Sequence, residues 1–128
     1  MDAEHGKYQV GQVWAYIARP GEEESTATIL KIEKLEKLGD VIHVSLTGLR
    51  IRNCSGGRGP TFVAHLPILR SALERSTTKR LKSNVPLPYF ADGYKQWQEN
   101  RGGVYTITLR EIVQLIEDTF NQGIQCSG

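Results

Sequence analysis

The stretch from Thr26 to Ile51 constrains this chain most. In its second half Ile42, Val44 and Leu46 alternate with Val41, His43, Ser45 and Thr47. That is the period of two of a strand with one face toward a core. In its first half Thr28, Leu30 and Ile32 take one side, and Lys31 and Glu33 the other. Gly39-Asp40 suits a turn between them. A hairpin is not stable alone in water, so the rest of the chain is expected to cover it.

The text before the hairpin reads as one more strand, Val10 to Ala18. There Val13, Ala15 and Ile17 alternate with Trp14 and Tyr16, apolar on both faces. Arg19-Pro20-Gly21 signals a turn, and Glu22, Glu23 and Glu24 are expected to hold that turn in water. Beyond the hairpin, Gly48 suggests a bulge before Leu49 and Ile51, and Asn53 to Pro60 (NCSGGRGP) reads as a loop.

Thr61 to Leu66 is the predicted fourth strand. Pro67 then suits the first turn of a helix running to about Arg80 along Ile68, Leu69, Ala72 and Leu73. Ser76, Thr77 and Thr78 weaken its end. Residues 83–103 read as a long irregular connection with one helical turn near Tyr94 to Gln98. Val104 to Ile107 is a predicted fifth strand. Thr-Leu-Arg-Glu from Thr108 is a capping box, and Leu109, Ile112, Val113, Ile116 and Phe120 follow at helical spacing toward a stop at Gly123.

The order β-β-β-β-α-loop-β-α predicts an α+β domain. We expect a bent antiparallel sheet of about five strands, open or partly closed as a small barrel, with one or two packing helices. Residues 1–128 read as a single domain, with flexible ends at 1–9 and 124–128.

Composition excludes some classes. An apolar fraction of 39% with 23% charged residues is that of a folded, water-soluble chain, and no apolar run reaches the roughly 20 residues of a membrane span. The N-terminal MDAEHGKYQV lacks the basic start and apolar stretch of a signal peptide. A cytoplasmic protein without membrane contact is the expectation, with Cys54 and Cys126 as reduced thiols.

Candidate chemistry is sparse. His43 and His65 both sit opposite the main apolar set of their strands. Side by side, near Arg50 or Arg52, they would suit a base and an acid acting on a phosphodiester. With Cys54 or Asp40 as a third ligand they would suit a metal. Neither spacing is a motif, and two ordinary sheet histidines, one under a helix and one in water, is the preferred reading. Ser55-Gly56-Gly57-Arg58-Gly59 fails as a phosphate loop because a strand, not a helix, follows it. No nucleophile elbow or cofactor fingerprint is present, so no metal and no cofactor are expected.

Two surfaces remain. Tyr89, Tyr94 and Trp97 concentrate rings in a short span, and Glu22, Glu23 and Glu24 form an acidic turn. Aromatic side chains anchor protein interfaces, so the expected function is a protein-binding module of inhibitor or immunity type, without chemistry of its own. The alternative rests on charge. Between residues 50 and 82 eight Lys or Arg stand against Glu74 alone. Arg50, Arg52, Arg58, Lys79 and Arg80 would then bind the phosphates of RNA or single-stranded DNA. A two-histidine nuclease is the weaker alternative. The partner and the oligomeric state are not legible.

Overall fold

A computed structural model describes residues 7–126. Five strands form one open antiparallel sheet: β1 (Val13–Tyr16), β2 (Thr26–Leu35), β3 (Gly39–Thr47), β4 (Val63–Leu69) and β5 (Thr77–Lys82), in the spatial order β4-β3-β2-β1-β5. Three helices complete the α+β fold: α1 (Arg70–Glu74), α2 (Ala91–Glu99) and α3 (Leu109–Phe120).

The predicted hairpin is the centre of the sheet. β2 and β3 pair from Thr26↔Thr47 to Leu35↔Gly39, with an irregularity between Ile29 and Lys31. The turn is residues 36–38, ahead of Gly39 and Asp40, which both belong to β3; Lys37 (φ 77°) and Gly39 (φ 83°) are left-handed. One face of the sheet carries Ala27, Ile29, Ile42, Val44, Leu46, Leu66 and Ile68 into a core with Leu73 of α1 and Leu109, Ile112 and Val113 of α3. Each such side chain contributes about 1.5–3 kcal/mol by leaving water. α3 starts where the capping box places it: the Thr108 hydroxyl accepts from Glu111 N–H, and the Glu111 carboxylate accepts from Thr108 N–H.

Alternation then puts Lys31, Glu33, Val41 and His43 on the other face, toward α2. His65 and Pro67 join them from β4, since Pro67 is the cross-strand partner of His43. The sheet thus lies between α1 and α3 on one side and α2 on the other.

Several expectations need correction. Pro67 does not open a helix. It lies within β4, an edge strand, where a missing N–H is tolerated. On that edge Tyr105 N–H donates to Pro67 O (3.0 Å) and Leu69 N–H donates to Tyr105 O (2.9 Å). The strand predicted at Val104 to Ile107 is reduced to this single parallel bridge. The helix predicted to reach Arg80 stops at Glu74, because Ser76 takes over its last turn. Ser76 Oγ donates to Ala72 O and accepts from Leu109 N–H, and the chain leaves as β5, paired with β1. The Thr77-Thr78 pair that weakens a helix favours a strand.

Residues 83–103 hold a nine-residue helix rather than one turn. The first strand is buried on one face only: Trp14 and Tyr16 enter the core while Ile17 is half exposed. Of the ends expected to be flexible, 1–6 and 127–128 lie outside the described residues. Tyr8, by contrast, is buried on Trp14 and bonded to the Thr77 hydroxyl (2.6 Å). Cys54 and Cys126 are not reduced thiols. They form a disulfide with Cα atoms 4.8 Å apart, which ties the tail beyond α3 to the glycine-rich loop. Among the described residues no helix is long and apolar enough to cross a membrane.

Candidate functional site

The pairing of β3 with β4 brings the two histidines together. His43 Nδ1 lies 2.8 Å from His65 Nε2, and the rings stack with centroids 5.0 Å apart. The third member is Glu33 of β2, whose Oε1 is 2.7 Å from His43 Nε2. Its other oxygen accepts from the Tyr94 hydroxyl (2.8 Å), and Gln98 Nε2 donates to that hydroxyl in turn (3.0 Å). The five side chains make one continuous chain of hydrogen bonds from α2, through β2 and β3, to β4.

The proton positions follow from what each group is able to do. An ionised carboxylate only accepts, so His43 must carry its proton on Nε2. A neutral His43 is then bare at Nδ1 and accepts from His65 Nε2–H. A neutral His65 is left with a bare Nδ1. That atom has no hydrogen-bond partner among the described residues, and His65 borders an open cavity of about 460 Å³.

Electrostatics keep this arrangement. His43 has no exposed surface, and burial holds it below the ordinary histidine range, partly offset by Glu33. Burial, and then the neighbouring His43, push His65 down to about 4. Both rings are neutral near pH 7. Burial works to raise Glu33, but the hydrogen bonds from Tyr94 and His43 outweigh it, so its carboxyl stays below the ordinary value and ionised.

α2 is the cover. Trp97 and Tyr94 meet the His43 ring edge-on at 4.9 and 5.1 Å. Trp97 is itself fixed from behind, because its indole N–H donates to Gly103 O (3.0 Å). A Cβ on Gly102 would overlap the indole Cδ1, so the bare backbone there makes room for the ring. Trp97 separates the His65 cavity, walled also by Pro67, Val104 and Tyr105, from a second of about 370 Å³ bordered by Glu33 and Arg101.

The other candidate residues lie apart. Tyr94 and Trp97 turn inward, which removes them from the expected docking surface, while Tyr89 is 71% exposed with its hydroxyl on Asp92. Glu22 is also a correction. Only 2% exposed, it accepts from Arg19 Nε and Nη2 and from Arg50 N–H, so it braces the turn from inside. Glu23 and Glu24 face solvent. Arg50, Arg52 and Arg58 are exposed on the 48–62 loop, and Lys79 and Arg80 on β5, away from the histidines. Neither proposed third metal ligand is near: Cys54 is in the disulfide, and Asp40 pairs with Arg70 (3.3 Å).

Glu33 was the residue that sequence reasoning missed. Its signal lay in the hairpin: Glu33 pairs with Val41 and Lys31 with His43, so Glu33 and His43 are diagonal neighbours on one face.

Comparison with protein-family models, curated proteins and solved structures finds no match for this chain.

Proposed function

We propose that the chain acts on a small ligand in the His65 cavity, with His65 Nδ1 as proton acceptor, and is therefore an acid–base catalyst. One observation carries this reading: the Glu33–His43–His65 chain ends on His65, whose Nδ1 has no partner among the described residues and which borders an open cavity. A carboxylate that fixes one imidazole, which in turn fixes a second, sets the tautomer and the aim of the last ring. Hydrogen bonding to His43 also gives a proton taken up by His65 somewhere to be shared. A water or a ligand hydroxyl held at Nδ1 is the group to be deprotonated.

The same geometry disfavours the two-histidine nuclease. His43 is fully covered and both its nitrogens are engaged, so no substrate reaches it as an acid. RNA or single-stranded DNA binding loses support as well, since Tyr94 and Trp97 are spent on the histidines and do not stand beside the exposed arginines.

Contact with another protein is the second reading. What favours it is the Pro86–Tyr89 segment, where Leu87 (40% exposed), between two prolines, and Tyr89 after them offer apolar surface. A disulfide persists in an oxidising setting, so we favour such a compartment over the cytoplasm as the place of work.

The test is turnover of a panel of phosphate and carboxylic esters at pH 7. His65→Ala is expected to lower the rate at least about 10-fold, short of the full range of a positioned general base because a base that titrates at about 4 is weak at pH 7. No turnover by the parent on any member, or an undiminished rate in the variant, refutes the proposal.

A further inference from the structure

We infer that the Gly103–Val104 turn is the anion-receiving side of this cavity, with Arg101 beside it at the adjoining cavity, so that the ligand carries a phosphate or carboxylate group; this rests on the His65 reading above. Four observations converge on the turn.

Gly103 and Val104 border the cavity that His65 borders. Their two backbone N–H groups have no acceptor among the described residues, whereas the neighbouring amides are taken: Gly102 N–H by Trp97 O and Tyr105 N–H by Pro67 O. Successive unpaired backbone donors at a concave surface suit an anionic oxygen. Arg101 supplies the charge. Its guanidinium makes no hydrogen bond or ion pair among the described residues, and it borders the adjoining cavity across Trp97.

The turn is held as though its shape matters. Arg101 ends α2 in the left-handed conformation (φ 49°), with its N–H on Gln98 O and the Gly102 N–H on Trp97 O, which sets the path into the turn. Gly103 O accepts from the Trp97 indole, which fixes the peptide that carries the Val104 N–H. A Cβ placed on Gly103 would meet nothing within 4 Å, so there is room beside these donors.

The opposite charge nearby is already committed. Both Glu33 oxygens are occupied, by His43 and Tyr94, and Lys31 sits over the Tyr94 ring at 5.3 Å. Glu33 and Arg101 border the same adjoining cavity, so an anion entering there meets Arg101 beside a carboxylate that is already satisfied. His65, neutral and bare at Nδ1, then faces the part of the ligand that carries the transferable proton.

Amide NMR of the full chain at pH 7 tests this, titrating inorganic phosphate and, separately, acetate against chloride at matched ionic strength. The Gly103 and Val104 amides and the Arg101 side-chain Nε–H are expected to shift saturably. Arg101→Gln, at an exposed site, is expected to weaken the response at least tenfold. Saturation by phosphate alone assigns a phosphoryl ligand, and by acetate alone a carboxylate; either supports the inference. No saturable shift with either anion, or an unchanged response in Arg101→Gln, overturns it. Ester turnover that depends on His65 would survive that failure, so the two readings fall separately.

Discussion

With Cys54 and Cys126 both replaced by alanine, the chain is expected to lose about 2–4 kcal/mol of stability, read as a lower urea midpoint. The bond closes a loop spanning a sequence separation of 72. A cross-link of that span removes on the order of 4 kcal/mol of chain entropy from the unfolded state, and measured cases fall at or below that. The folded state should change little. Cys54 N–H still donates to Asn121 Oδ1 (2.8 Å), and Asn121 Nδ2 donates to Arg52 O (2.7 Å), so the loop keeps its place at the end of α3 without the sulfurs. A reducing agent should move the parent's midpoint to that of the double variant. A midpoint that ignores both treatments contradicts the disulfide.

His43→Ala is expected to cost about 3 kcal/mol or more, and His65→Ala only about 1 kcal/mol. His43 is completely buried and bridges two partners, so its removal opens a cavity and strips a hydrogen bond from a carboxylate. His65 is partly exposed, and water is available to replace it. The ranking for turnover is the reverse in cause: His65→Ala removes the working nitrogen, and His43→Ala removes its support. Equal stability losses at the two sites would mark the pair as a structural bond and no more.

The pH dependence carries the same signature. An unfolded histidine titrates near about 6.5, whereas folded His65 waits until about 4. Between those values the unfolded state binds the extra proton, so stability falls as the pH is lowered through this window. His43, also depressed, acts with the same sign. Glu33 adds a further loss at more acid pH, once its own lowered folded value is crossed. His65→Ala should flatten the upper part of that fall.

Much of the fold was legible because it is local. The β2–β3 hairpin and α3 declare themselves by period and by capping residues, and both depend on contacts a few positions apart. The helix at α1 was legible, but its early end and β5 were hidden, because what ends the helix is Ser76 bonding to Leu109, a contact across 33 positions. Pro67 misled for a similar reason: a proline that suits a helix start also suits an edge strand, and only the β3 pairing decides. At the site, the two histidines could be named but not joined. The separation of His43 and His65 has no meaning until β4 lies beside β3, and the role of Trp97 none until α2 folds down on them. The glutamate turn misled in the other direction, since nothing local distinguishes Glu22 inside from Glu23 and Glu24 outside.

The most direct test of the account is nitrogen-15 NMR of the two imidazole rings across pH. His65 should be neutral at pH 7 with its proton on Nε2 and Nδ1 bare, and should gain its second proton only as the pH approaches about 4. A His65 that carries its proton on Nδ1, or that titrates in the ordinary range near about 6.5, would show that the chain of hydrogen bonds does not end on a free acceptor, and the proposed role of His65 would go with it.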